Sequence, residues 1–211
     1  MDPDDDPDDH ADNNPSKRPC LAAKSASARS RPIEGTLTVF LEKYGISKEE
    51  WDAGRLSFKG IAELPPLLPW PEGLKTLNLY GNNIVDVSAA LTLPDGLKQL
   101  FLSSNQIVDV SALTLPDGLT YLNLGGNQIV DVSALTLPDG LTTLQLGKNK
   151  IVDVSALTLP DELTRLYLSD NQIVDVSVLT LPDGLKKLDL MYNQIVDVSA
   201  LTLPDGCKLK T

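Results

Sequence analysis

Histidine and cysteine are almost missing from this 211-residue chain: one His, His10, near the start, and two Cys, Cys20 and Cys207, close to opposite ends. A single imidazole so placed can build neither a Ser–His nor a Cys–His nucleophilic pair. Two isolated thiols make neither a zinc cluster nor a disulfide framework, which favours a reducing compartment. No stretch approaches the roughly 20 consecutive apolar residues that span a bilayer, so no membrane partner is expected. The opening MDPDDDPDDH has neither the basic region nor the apolar run of a signal peptide. Positive charge is also scarce: 18 Lys and Arg stand against 29 Asp and Glu, a formal net charge of −11. Such a chain repels phosphate backbones, so nucleic acid is not expected as a direct partner. Nor is there a glycine-rich phosphate loop. The expectation is a non-enzymatic, intracellular, cytoplasmic protein with no cofactor and no metal.

What is present is unevenly spread. Residues 1–32 form a low-complexity tail with seven Asp among the first twelve residues, followed by Lys17, Arg18, Lys24, Arg29 and Arg31. A stretch so poor in apolar side chains cannot offset its ordering entropy and is expected to be disordered. The basic half fits a solvated tail, and a nuclear-import signal is the sharper alternative, which leaves a nuclear location open. From 33 to 73 the spacing predicts a helical N-terminal cap with one degenerate repeat. Leu37, Phe40, Leu41 and Tyr44 recur at helical spacing and Gly45 can end that helix. Ser47 and Glu50 form a capping box, and Ile46 and Trp51 the two halves of a hydrophobic staple. The degenerate repeat is aligned with Leu56 matching Leu102, Ile61 matching Ile107 and Lys59 standing where an Asn belongs; Phe40, Trp51 and Trp70 are expected to shield it.

Six repeats then fill 74–203, with a stub at 204–211. Asn82, Asn105, Asn127, Asn149, Asn171 and Asn193 mark a period of 22 residues after a slightly longer first copy. A fixed period in this range means one supersecondary unit stacked on copies of itself. The unit reads LxxLxLxxNxIVDVSALTLPDG. Its LxLxx part alternates as a half-buried strand does, and one short strand per unit forces parallel pairing between units. An Asn at the following turn can donate and accept at once, bridging its own coil and the next; six of them form a ladder. The remaining half turns Ile84, Val87, Leu91 and their copies inward, leaves Asp86 and Ser88 to bond the local backbone, and is too short and Val-rich for a helix, so extended or 3₁₀ structure is expected. Pro-Asp-Gly closes each unit with a turn; Glu162 in place of that Gly argues that positive φ is not required there.

The pattern resembles the leucine-rich repeat family, whose LxxLxLxxNxL signature is matched by Leu74-Leu77-Leu79-Asn82-Ile84 and five later copies, over about residues 51–207. The repeat length and the IxDV segment are similar to the internalin and phosphatase-regulator classes, and the LPDGL start to the LPxxL of bacterial effector repeats, so the subclass stays open. The resemblance implies an α/β solenoid of horseshoe form, with a parallel β-sheet on the concave face, extended or 3₁₀ segments on the convex face, and a concave surface used chiefly to bind proteins. The chain departs from the family in lacking a C-terminal cap, with Cys207 where a Leu should begin a further coil.

Compared with one another, the copies are two patterns. The stretch 108–119 recurs over five copies with only Glu162, Val178 and Cys207 changed. The difference concentrates at the open positions around the strand. Row one is Thr76, Gln99, Tyr121, Thr143, Arg165 and Lys187; row two is Asn78, Phe101, Asn123, Gln145, Tyr167 and Asp189. Rows three and four run from Tyr80 to Met191 and from Gly81 to Tyr192. Tyr, Phe, Met and Arg are the types enriched at protein interfaces. Tyr80, Phe101, Tyr121, Arg165, Tyr167, Lys187, Asp189, Met191 and Tyr192 are therefore the candidate contacts for a protein partner, the alternative being drift after duplication. The Asp86 and Asp95 columns offer one carboxylate per coil each, too few for the six to eight oxygens of a calcium site. An assembly role, with the bare last coil covered by a second copy in a homodimer, is the other class of function.

Overall fold

The computed structural model describes residues 39, 41–43, 45–49, 54–61, 70–71, 73–87 and 93–211. The tail at 1–32, Phe40, Tyr44, Glu50, Trp51, Ser88 and Leu91 lie outside the described residues, and so do the capping box and staple that need Glu50 and Trp51. Backbone is helical at Val39, at 41–43 and at 48–49. Gly45 stops the first of these with a left-handed φ of 63°, its N–H bonding the Glu42 carbonyl while the Ile46 N–H reaches Leu41 at 2.9 Å.

Each coil then gives one three-residue strand: β1 Arg55–Ser57, β2 Thr76–Asn78, β3 Gln99–Phe101, β4 Tyr121–Asn123, β5 Thr143–Gln145, β6 Arg165–Tyr167, β7 Lys187–Asp189 and β8 Lys208–Lys210. The eight pair in parallel in chain order, because the connection between successive strands is long enough for a full crossover and no hairpin is available. Register is unbroken, from Leu56↔Leu77 to Leu188↔Leu209. Alternation does the sorting: the central Leu of β2 to β7 is wholly buried while its neighbours face out. Leu79, Ile84 and Val87 and their copies complete one continuous core down the stack. Each fully buried Leu or Ile stabilises by about 1.5–3 kcal/mol relative to exposure. Backbone pairing between coils continues past the strands, through Leu102 N–H to Asn123 O and Ser104 N–H to Gly125 O, both 2.8 Å.

The asparagines do the joining, and they reach backwards. Asn105 Oδ1 accepts from the Ile84 N–H at 3.0 Å, and its Nδ2 donates to Leu79 O at 2.8 Å in the preceding coil and to Leu102 O at 2.9 Å in its own. Asn82, Asn127, Asn149, Asn171 and Asn193 repeat the pattern. The expected bridge to the next coil is thus reversed. The ladder of backbone bonds leaves the Leu79 carbonyl and the Ile84 N–H to be satisfied, and the amide of the following coil fills both. Among the described residues no buried side-chain nitrogen or oxygen lacks a partner.

This direction corrects the first coil. Leu56 pairs with Leu77, so its equivalent is Leu100, not Leu102. Phe58 takes the Leu79 role, with its carbonyl accepting from Asn82, and Ile61 takes the Ile84 role. Three positions separate Phe58 from Ile61 where five separate Leu79 from Ile84, so the Asn step is deleted and Lys59 is not its substitute. A first coil has no predecessor for an Asn to join. Trp70 packs edge-on against Phe58, ring centroids 6.3 Å apart.

On the convex side no helix or 3₁₀ run forms among the described residues after β1. Two isolated turns per coil bend an extended chain: Leu113 N–H to Val110 O at 3.1 Å and Leu119 N–H to Pro116 O at 3.0 Å, with copies. In the inner coils the left-handed position lies elsewhere, directly before each Asn, at Gly81, Ser104, Gly126, Lys148, Asp170 and Tyr192; only in the end turns is the closing glycine left-handed too, Gly73 and Gly206 with φ of 86° and 72°. At the far end the stub adds β8, one residue short of the full repeat, because Lys187 pairs with Lys208.

Candidate protein-interaction face

Rows one and two flank the buried Leu of every strand and point to the same side, side by side at about 4.8 Å per strand. Phe101 and Tyr121, on adjacent strands, lie with ring centroids 4.9 Å apart and planes tilted 36°. Such a pair adds about 0.5–1.5 kcal/mol beyond its area. The Tyr121 hydroxyl accepts from the Gln145 amide at 2.7 Å, which ties β4 to β5. Two strands on, Lys187 Nζ stands 4.6 Å above the Tyr167 ring. An aromatic spine therefore crosses the sheet in two segments, each held by its neighbour.

Charge is segregated along the face. The outward residues of β2 to β5 are uncharged: Thr76, Asn78, Gln99, Phe101, Tyr121, Asn123, Thr143 and Gln145. Arg165, Lys187 and Lys208 then occupy consecutive places in row one, with Tyr167, Asp189 and Lys210 beside them in row two. Asp189 bonds its own turn, accepting from the Met191 N–H at 3.3 Å.

Rows three and four behave differently from the first two, because the strands end after three residues. Tyr80, Ser103, Gly125, Gly147, Ser169 and Met191 start the turn, and the left-handed residues follow. Tyr80 in row three and Tyr192 in row four, 60% and 72% exposed, stand at opposite ends of the stack. The structure brings together Phe101 with Tyr121 and Arg165, Tyr167, Lys187 and Asp189 with one another; it does not join Tyr80 to Tyr192. Sequence reasoning passed over Gln145, the lysines of β8, and a hollow. That hollow, about 250 Å³, is lined by Ser103, Gly125, Gly147, Lys148, Tyr167 and Ser169 among others. Its signal was available: rows three and four carry glycine only where the hollow opens and at Gly81.

Residues 72–129 and 117–173 match the family described as "Leucine rich repeat", and 161–203 match "Leucine Rich repeats (2 copies)". The chain belongs to the leucine-rich repeat family. Among solved structures, the leucine-rich repeats are similar to an internalin (InlF) of Listeria monocytogenes at 30% identity and a TM-score of 0.61, covering 74% of this chain and 46% of that one. They are also similar to internalin C2 of the same organism at 25% identity and a TM-score of 0.56, covering 85% and 94%. The chain thus spans under half the length of the first and nearly all of the second. A chain of the TLR13–ssRNA13 complex, at 24% identity, a TM-score of 0.52 and 69% and 22% coverage, shares the fold. No curated protein sequence matches.

Leucine-rich repeats are generally interaction scaffolds and not enzymes. Here one column of carboxylates serves turns. Asp109 Oδ1 accepts from the Ser111 N–H at 2.7 Å, and Asp131, Asp153, Asp175 and Asp197 repeat this with Ser133, Ser155, Ser177 and Ser199. These bonds hold the five carboxyls below the usual aspartate value, against smaller opposing effects of desolvation and, for Asp131 and Asp153, of neighbouring aspartates in the column. Burial pushes the Cys207 thiol up, with a backbone hydrogen bond from Leu188 opposing it, so this cysteine stays protonated and a poor nucleophile. Among the described residues no group of three or more His, Cys, Asp or Glu is placed to hold a metal.

Proposed function

We propose that this leucine-rich repeat chain is a recognition scaffold that binds a protein partner through its strand face. One observation carries the reading. Convex segments are near-copies of one another, while the in-register strand positions differ from coil to coil and gather Phe101, Tyr121, Arg165, Tyr167 and Lys187 into two contacting clusters. Drift would scatter such residues; pre-stacked aromatics with few rotors lose little entropy on binding and are typical anchors. Alanine at Tyr121, Arg165 and Tyr167 together removes both clusters without touching the core. Immobilised full-length triple variant, melting like the parent, is expected to lose the proteins that the parent retains from a soluble extract; equal retention would sink the reading.

A second reading is association of two copies through the last full coil. Val196 is 92% exposed, and Ile195 and Val198 are only partly buried where Ile173 and Val176 of the preceding coil are wholly so. Sedimentation velocity across a hundredfold concentration range tests it: a constant monomeric coefficient rejects it, and a rising one abolished by Val196→Asp supports it.

A further inference from the structure

Three cations stand next to each other in row one: Arg165 on β6, Lys187 on β7 and Lys208 on β8. Like charges directly across neighbouring strands destabilise a sheet. No carboxylate shares their row, and among the described residues Arg165 and Lys208 make no ion pair. This happens in a chain of net charge −11, so surplus positive charge is concentrated against the composition. The hollow at Gly125 and Gly147, which Lys148 and Tyr167 help to line, is equally particular to this face. Neither Gly125 nor Gly147 has a positive φ, and the same place in other coils holds Tyr80, Ser103, Ser169 and Met191. Other coils therefore carry side chains there, whereas an added Cβ at Gly125 or Gly147 would stand 3.1 or 3.2 Å from a neighbouring carbonyl oxygen, and glycine opens the space beside Asn123, Gln145 and Tyr167.

We propose that the strand face binds an extended acidic peptide segment lying across the strands, with an apolar anchor beside Phe101 on β3, one side chain over the hollow at Gly125 and Gly147, and carboxylates on Arg165, Lys187 and Lys208. The inference rests on the strand face being the binding surface. Strand spacing fixes the spelling of the segment. From β3 to β6 is three spacings, about 14 Å, and from β3 to β8 five, about 24 Å. An extended chain covers roughly 3.3 Å per residue, so the acidic residues fall about four to seven positions from the anchor. A short run of carboxylates suits a row of three cations. A continuous phosphate backbone would run past it towards Asp117, Asp139, Asp161, Asp183 and Asp205, exposed in the turns that lead into the strands.

The test is selection of random twelve-residue peptides displayed on phage against the full chain at low salt, with poly-uridine RNA as a parallel probe. Variants are taken from the protein's own rows so that they fold: R165T/K187T copies Thr143, and G147M copies Met191. Enriched peptides are expected to carry an apolar residue followed four to seven positions later by at least two Asp or Glu. R165T/K187T should weaken them at least about tenfold and flatten their salt dependence, and G147M should weaken them similarly in protein that still unfolds in one cooperative transition. No enrichment, enrichment without acidic excess, or tighter retention of poly-uridine than of any peptide overturns the proposal. Neutral peptides lost on the Tyr121/Arg165/Tyr167 triple-alanine variant would overturn the acidic segment alone. Peptides that bind that variant undiminished would overturn the strand-face reading with it.

Discussion

The side-chain amide of Asn105 donates to the carbonyl of Leu79, 2.8 Å away and one coil earlier in the chain. Leu79 follows β2 into the core, so the carbonyl it presents has no water to turn to.

Removing such an amide orphans a buried N–H and thins the bonding of two carbonyls. Asn127→Ala leaves the Ile107 N–H without a partner, while the Leu102 and Leu124 carbonyls each lose one of two amide donors and keep Asn105 and Asn149. At about 1–3 kcal/mol for a buried polar group left unsatisfied, the expected loss is about 1–3 kcal/mol, read from urea unfolding. Asn193→Ala, in a partly exposed coil, should cost visibly less. Equal costs would mean that burial is not what makes the ladder matter.

The residue before each Asn is left-handed, with φ of 57° at Lys148 and 66° at Gly126. A side chain there costs about 1–2 kcal/mol, partly offset by the entropy glycine gives up on folding. Lys148→Gly should raise stability by about 0.5–1 kcal/mol, whereas Gly126→Val should lower it by more. Calorimetric melting of the pair decides the matter, and a destabilised Lys148→Gly would contradict it.

At the Pro-Asp-Gly turn the opposite holds. Gly140 is not in a positive-φ conformation, and an added methyl would meet only the Asp117 carbonyl, at 3.9 Å. Gly140→Ala is expected to stabilise by about 0.4–1 kcal/mol through the unfolded chain. A lower unfolding midpoint in this variant would refute the assignment of the turn.

Acid should loosen the convex side. The carboxyls of Asp109, Asp131, Asp153 and Asp197 are depressed first by the N–H and then by the hydroxyl of the serine two residues on, and Asp175 first by the Ser177 hydroxyl and then by its N–H. A group whose folded value is lowered stabilises above its unfolded value and loses that contribution as pH falls through the folded one. The melting temperature should therefore hold steady above about pH 5 and drop below the ordinary 3.8 of these groups. Asn at all five positions keeps the acceptor and removes the proton site, so the acid limb of the melting curve should flatten; an unchanged limb would assign it to other carboxyls.

Much of this was legible in the sequence, for a physical reason. Period, strand and core follow from apolar spacing, and spacing survives copying. Direction does not: an Asn between two coils has two equivalent neighbours on paper, and only the backbone groups left open by the sheet select the earlier one. The first coil was misaligned by two residues because Leu56 and Phe58 are both apolar at strand spacing, and only pairing with Leu77 separates them. The hollow escaped because it is made of missing side chains, which a search for bulky anchors overlooks. The β8 lysines escaped because one residue is dropped between Cys207 and Leu209, which breaks the motif without breaking the sheet.

The backward reach of the asparagines gives the stack a grain. Taking 22 residues out of the middle, or adding 22, rejoins each amide to the same kind of neighbour, so length can change without a new solution to the packing. Losing the first coil is different in kind, because Asn82 would keep only its own-coil bond to Leu79 and face an empty side with its Oδ1 and one amide hydrogen unspent. The repeat can therefore lengthen or shorten as a ruler does, from a fixed zero at Phe58 and Ile61, and the distance between the aromatic pair and the cationic row becomes a quantity that duplication alone can set.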